Sequence, residues 1–370
     1  MLPCGSLADA TSRRLPGAPF VAGNEECGRV KRVTLRDIAA EAQVSLATVD
    51  RVLNGRSGVS EDAEARVRKA MEVLRFKSQT VEASAAGERE YRLSFIIPRG
   101  PKNTFMVEMR NYVEMLGGNM AAQGTLLSVS DYGELDEKEL TDVLAAINPE
   151  SCMGVAVVAI DSVPVREAID SLVQKGVGVV TLVSDVTPSR RFHSVGPNNV
   201  GAGRLAGSLV GKFARRQPGS IGLIGSMTLR DQADRRLGFE QVISREYGYL
   251  KILPVIDGRD DSTVTIEVVR KLLREHSDLI GLYNIGAGNR GVIEALEESQ
   301  RKDDIAVVVH ELTRHARRAL VSGTFDAVIN QNYKIEVDYA IQALKAYVDS
   351  DVTALPPPVQ LDIYMRDNLP

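Results

Sequence analysis

The pattern with the most chemistry in it lies late in the chain. Gly286-Ala-Gly288-Asn-Arg-Gly291 follows an apolar run over residues 280–284 and precedes a helical pattern. A second apolar run, 305–309, leads to Glu311, 20 residues after Gly291. Glycines at this spacing, between a strand and a helix, let backbone approach a pyrophosphate while the acid takes a ribose hydroxyl. That chemistry belongs to a nicotinamide-dependent dehydrogenase. Two features oppose it. Such a site normally opens a domain, yet only 59 residues follow Glu311. His310 adjoins Glu311, but His193, His276 and His315 form no constellation with it. There is no zinc-type HxxxH, no nucleophile elbow and no Walker loop. No catalytic residue, no metal site and no cofactor is therefore expected, and the chain does not read as an enzyme.

A different chemistry is written near the start. Thr34-Leu-Arg-Asp37 is an N-cap with an acid at its third position, and Leu35, Ile38, Ala39 and Ala42 recur at helical spacing. Gln43-Val44 breaks that helix. Ser45 caps a second, whose apolar stripe is Leu46, Val49, Val52 and Leu53, and Asn54-Gly55 ends it. Ser60 caps a third helix, with Val67, Ala70, Met71 and Leu74 on its buried face. Two short helices joined by a tight turn can lay the second in a DNA major groove while the first crosses the backbone.

Charge supports that reading. The whole chain carries 45 Lys/Arg against 49 Asp/Glu, but residues 29–77 hold 11 basic and 7 acidic side chains. A basic module on an acidic body suits a protein with one end on phosphate. With 370 residues, 44% apolar and 25% charged, the chain is long enough for two or three domains with cores of their own. No run approaches the apolar length of a membrane span. Residues 1–32 lack the apolar stretch of a secretory signal and are expected to be a disordered leader. Cys4, Cys27 and Cys152 are too scattered for a disulfide framework, which fits the cytoplasm.

Residues 77–90 are polar and small, as in a linker. From Tyr91 onward, apolar strand-like runs (93–97, 126–129, 154–160, 177–183, 221–224, 250–255, 280–284, 305–309 and 327–330) alternate with helical patterns. The expected fold class is a small all-α headpiece followed by α/β, with two doubly wound parallel-sheet subdomains.

The segment from Val33 to Gly55, continued by Val59-Ser60 and on to Phe76, resembles the headpiece of the LacI/GalR family of bacterial transcriptional regulators. The resemblance implies a role in DNA binding for named residues. Leu46, Ala47 and Arg51 occupy base-facing positions: Arg51 can donate two hydrogen bonds to guanine, while Leu46 and Ala47 offer apolar contact. Thr34, Ser45, Thr48 and Asn54 fall where the family meets phosphate, and Leu35 and Val81 complete the expected contacts. Asp50 departs from the more usual Ser or Thr, and an acid there repels phosphate unless something faces it. The hinge departs too. Ala85 stands where a wedging Leu is usual, leaving Val81 as the sizeable apolar residue of that segment.

Over roughly 91–370 the chain resembles the two-lobed periplasmic sugar-binding-protein fold that the family uses as its effector domain. The resemblance places lobe one at about 91–218 and 328–356, and lobe two at about 219–327 and 357–370. It carries effector binding onto Asn103 and Phe105 after the first strand and onto Asp161 at a strand end. It also carries Asn199, within an element where Asn198 replaces an acid, and Arg235 before Gly238-Phe239. Asn284, Glu311 and Gln331 lie at strand C-terminal ends, where open α/β sheets bind ligands. Amides, carboxylates and an Arg suit a polyhydroxylated ligand, and Phe105 offers a platform for a sugar face. The implied function is an effector-responsive transcriptional regulator, expected to be a repressor, with operator DNA, a sugar-like small molecule and a second copy of itself as partners. A homodimer is expected, with a tetramer as the alternative. A transport-type solute-binding protein is the rival reading; it would share the cleft but have no use for residues 33–76.

Overall fold

The computed structural model describes residues 34–53, 56, 58–82, 90–100, 103–133, 136–214, 217–226 and 229–370. The expected leader, Asn54 and Ala85 lie outside them. Three helices come first: α1 (Leu35–Ala42), α2 (Leu46–Leu53) and α3 (Glu61–Glu82). They close around Ile38, Ala42, Val49, Val67 and Ala70. The third helix corrects the expected limit of the headpiece, because it runs on to Glu82 instead of giving way to a linker at 77. No Pro or Gly interrupts Lys77-Ser-Gln-Thr-Val-Glu82, so nothing in the backbone stops the helix there.

Two parallel sheets follow. The first has the order β2-β1-β3-β4-β5, from β1 (Tyr91–Pro98), β2 (Thr125–Tyr132), β3 (Gly154–Val157), β4 (Gly178–Leu182) and β5 (His193–Val195). Alternate side chains of its strands serve opposite faces. Leu93, Phe95 and Ile97 enter one core with Ala156 and Val158, while Ile96, Val155 and Val157 enter the other. This is why these strands are apolar throughout. Helices α4 (Thr104–Met120), α5 (Glu137–Ala145) and α6 (Val163–Gln174) cover the faces.

Helix α7 (Asn199–Phe213) leads into the second sheet, ordered β11-β10-β9-β8-β6-β7. Its strands are β6 (Gly219–Ile224), β7 (Leu250–Ile252), β8 (Leu279–Asn284), β9 (Ala306–His310), β10 (Ala327–Gln331) and β11 (Leu361–Tyr364). Only β11 runs antiparallel to its neighbour. Helices α8 (Arg230–Glu246), α9 (Ser262–Glu275), α10 (Asn289–Ser299) and α11 (Arg314–Ser322) cover this sheet, and α12 (Tyr333–Val348) returns to the first.

The lobe limits therefore need correction. Helix α7 belongs to lobe two, since Ala206 and Val210 pack with Phe239, Ile221 and Tyr283. Its contact with α8 is too close for side chains: a Cβ on Gly203 would meet the Arg235 carbonyl oxygen at 1.8 Å. Strand β10 also belongs to lobe two. The chain crosses between lobes near 196–198, at Asn332 and near 359, where Pro197 and Val359 pair in a parallel bridge. Strands β5 (His193-Ser-Val195) and β11 (Leu361-Asp-Ile-Tyr364) carry polar residues and leave no apolar run, and β3 and β7 end sooner than their hydrophobicity suggests.

Candidate functional site

Two surfaces carry the predicted residues. In the headpiece, Thr34 and Asp37 form a reciprocal capping box: the Thr34 N–H donates to Asp37 Oδ2 at 2.7 Å, and the Asp37 N–H donates back to Thr34 Oγ1 at 3.3 Å. Gln43 ends α1 in the left-handed region with φ of 53°. Ser45 Oγ accepts from the Thr48 N–H at 3.1 Å and lies 2.8 Å from Thr48 Oγ1, so these two expected phosphate ligands hold the start of α2. Leu46 is 45% exposed, and Ala47 and Arg51 are exposed on the same face. An apolar side chain left in solvent at the start of a recognition helix is not core packing. Leu35 is half-buried against the headpiece core. Val81 lies in the last turn of α3.

The second surface is the end of lobe two that Glu336 of lobe one approaches, with Arg235 at its centre. Its side chain is 3% exposed, and each of its three nitrogens donates within the protein. Nε donates to Asn199 Oδ1 at 2.8 Å, and the two terminal nitrogens donate to the Ile285 carbonyl and to Gln331 Oε1, each at 3.0 Å. Asp231 stands 3.6 Å away, one turn earlier on α8. Asn284 is fully buried and donates to Asn289 Oδ1 at 2.7 Å, and Asn289 in turn donates to the His310 carbonyl at 2.7 Å. Glu311 is buried with φ of 69°. Residues from α7, α8, β8, β9 and β10 thus meet at strand C-terminal ends.

The distinctive feature is what remains unbonded. Asp231 Oδ1, Asn284 Oδ1, Glu311 Oε2 and both carboxyl oxygens of Glu336 are buried without a hydrogen-bond partner. All are acceptors. Burial drives the Glu311 carboxyl up to about 8, only partly opposed by Arg235. Burial also raises Glu336, and the nearby Glu311 raises it further; Asp231 rises for the same first reason. A buried acceptor left without a donor is costly, so such a cluster is suited to a ligand that brings donors.

Glu336 and Asp231 escaped the reading of the sequence. A signal existed for Glu336: with Ala340 and Ala343 it shares the buried stripe of α12, and an acid on an apolar stripe needs a reason.

Other predicted residues have structural partners. Asn103 caps α4 through the Met106 N–H at 3.3 Å. Phe105 is 7% exposed in the lobe-one core and meets Tyr333 edge-on at 6.1 Å. Asp161 pairs with Arg166 at 2.8 Å and with Arg230 of α8 at 3.1 Å. It acts as a latch between lobes, reinforced by the Arg230 N–H donating to Ser184 Oγ at 3.1 Å. The glycine-rich turn is explained by packing. A Cβ on Gly291 would meet the Ser262 carbonyl oxygen at 2.3 Å, and the Ala287 N–H that would face a phosphate donates instead to Asp260 at 2.9 Å. A carboxylate on that amide opposes the dinucleotide reading.

Residues 94–351 match the family model of the periplasmic binding protein domain, and residues 34–79 match that of the bacterial regulatory proteins, lacI family. The chain belongs to the lacI family of bacterial regulators. The catabolite control protein A of Priestia megaterium is 23% identical over 336 residues, spanning 88% of this chain and 96% of that protein. Shorter matches of 31% and 32% identity link this lacI-family chain to the catabolite control protein A of Staphylococcus xylosus and the ribose operon repressor of Halalkalibacterium halodurans. Each of those covers 29% of this chain and spans only 32% of the relative. Among solved structures, a Burkholderia graminis solute-binding protein in complex with D-arabinose superposes with a TM-score of 0.69 at 18% identity, covering 77% of this chain and 98% of its own. A LacI-type regulator from Bacteroides fragilis gives 0.67 at 15% identity, covering 76% and 98%. The lacI-family fold is thus a helix-turn-helix headpiece on a body of the periplasmic binding protein type. No helix among the described residues is long and apolar enough to cross a membrane.

Proposed function

We propose that this regulator is a cytoplasmic repressor whose affinity for operator DNA is set by a polyhydroxylated small molecule, a sugar, polyol or sugar derivative, held between its lobes. The observation that carries the effector is the set of unpartnered buried acceptors around Arg235. Hydroxyl groups are donors that such oxygens lack, and they can accept in turn from Asn199, Gln331 or Asn284 amides. The residues proposed for contact are Asn199, Asp231, Arg235, Asn284, Glu311, Gln331 and Glu336. Asn103, Phe105 and Asp161 are proposed to border the cleft and support it.

On the DNA side, Arg51, Leu46 and Ala47 read bases, while Thr34, Ser45 and Thr48 meet phosphate. Two headpieces on half-sites about one helical turn apart call for a homodimer. Closing the lobes changes the Asp161–Arg230 latch and, with it, headpiece placement, by a coupling of about 1–3 kcal/mol. A catalytic role has no support, since the glycine-rich turn is committed to packing and to Asp260. The solute-binding alternative rests on the solved neighbours, and an exposed, capped recognition helix weighs against it.

The test is a thermal-shift screen of neutral sugars, polyols and sugar acids, run on the wild type and on Arg235→Ala. A ligand at 100 times its Kd adds about 2.7 kcal/mol. Stabilisation by a neutral polyol in the wild type only is the expected result. Equal stabilisation of both proteins, or stabilisation by none of the panel, would refute the cleft assignment.

A further inference from the structure

Asp50 is the residue of α2 that suits DNA least, and the body is built to receive it. Its carboxylate accepts from Arg191 of lobe one at 2.9 Å. Arg191 is only 3% exposed and also donates through Nη2 to Asp185 Oδ2 at 2.7 Å. Arg56, just after α2, bonds to Asp185 and lies 3.5 Å from Asp50. Two headpiece charges and two body charges therefore close one ring. Asp185 is further held by Thr181 Oγ1 and the Val186 N–H, at 2.8 and 2.9 Å. Its carboxyl lies well below the usual range because Arg191 and Arg56 outweigh its burial. An apolar seam runs beside the ring: Val352, 2% exposed, completes the headpiece core with Ile38, Val49 and Val67, and Phe192 packs on the same cluster.

The consequence concerns the reading face. Leu46, Ala47, Asp50 and Arg51 line a cavity of about 690 Å³ whose other wall includes Asp185 from lobe one and Asp231 from lobe two. A recognition helix enters a major groove about 12 Å wide with this same face towards the bases. The body and the duplex therefore compete for it. We propose that lobe one carries a docking surface for the chain's own headpiece, centred on Arg191, Asp185 and Val352, and that docking masks the DNA-reading face of α2. Asp50 is then the price of DNA affinity exchanged for a second, closed position. Because both lobes border the cavity, a change in lobe angle alters the surface the headpiece meets, which brings the closed position under the control of the cleft.

Binding to a random-sequence duplex, followed by fluorescence anisotropy with the full-length protein, tests this. Two body variants remove the dock without touching the DNA face. Arg191→Lys keeps a charge beside Asp185 but loses the fork that reaches Asp50, and Val352→Asn breaks the apolar seam. A protein that is competent only when undocked has its affinity reduced by the undocked fraction. Both variants are expected to bind roughly tenfold tighter than the wild type. Asp50→Ser gains affinity as well, and that gain should shrink in the Arg191→Lys background, because the lock is already open. If both body variants bind as the wild type or more weakly, or if Asp50→Ser gains equally in either background, docking does not mask the face. Failure of every protein to bind the duplex would instead overturn the DNA-reading role of α2, and the masking with it.

Discussion

The headpiece and the interlobe cleft are built on opposite principles. In the headpiece the proposed DNA contacts sit at the surface of two short helices and are positioned by neighbours three residues away: Thr34 with Asp37, Ser45 with Thr48. In the cleft, the groups converge from distant parts of the chain and are buried. Arg235 alone bonds to partners 36, 50 and 96 residues away. A DNA-facing surface is made by side chains of one short stretch of chain, so local structure suffices to build it. A small ligand is enclosed on all sides, and only tertiary structure can bring enough groups to one point.

The contrast can be broken most sharply at Arg235. Replacing it by Ala removes the cation that the described residues place among Asp231, Glu311 and Glu336. Effector binding should weaken by about 2–4 kcal/mol, read as a rightward shift of the effector dose in an operator titration. Ligand-free operator affinity should hardly move. A variant that responds at the wild-type dose would show that the cleft does not depend on this fork.

The buried carboxyls test the same region through stability instead of binding. Glu311 ionises near 4.5 when unfolded and near 8 in the folded protein. The folded state thus holds a proton that the unfolded state has released, so this group's contribution to stability is full below pH 4.5 and is lost as pH rises through 8. Each unit of difference corresponds to about 1.4 kcal/mol. Glu311→Gln should flatten this slope and raise stability at pH 8, measured by urea unfolding at several pH values. An unchanged slope would mean that the carboxyl is better solvated than its burial implies.

Arg51→Ala addresses the other region. It should cost about 1–3 kcal/mol on the specific operator and relax preference at one base pair. An equal loss on random DNA would make Arg51 a phosphate contact only. Smallest is Ser45→Ala, which removes the cap of α2 and should cost about 1 kcal/mol of headpiece stability. Hydrogen exchange confined to α1–α3 would report it, whereas a loss spread through the lobes would deny that the headpiece is locally built.

These differences explain what was legible beforehand. The three helices, their caps and their buried stripes follow from spacing within a few residues, and so do the apolar strands of both sheets, because parallel strands buried on two faces leave continuous hydrophobic runs. Helix α3 overran its expected end because no breaker marks the change from headpiece to hinge. Assigning α7 and β10 to lobe two required knowing what they pack against, since an apolar stripe does not name its partner. Asn284, Glu311 and Gln331 could be singled out by type and strand-end position, and Arg235 by the family resemblance alone. Their shared hydrogen bonds, and the arrival of Glu336 from α12, depend on three chain crossings that no local pattern encodes.

Sequence by itself thus determined the elements and the chemical kinds of group that the headpiece and the strand ends present, because these depend on periodicity, capping and residue type. Only the tertiary structure decided which acceptors stay unbonded around Arg235, and that Asp50 faces Arg191 rather than solvent. Both facts are set by charges brought together across more than a hundred residues of chain, where burial and pairing, not spacing, govern the energy.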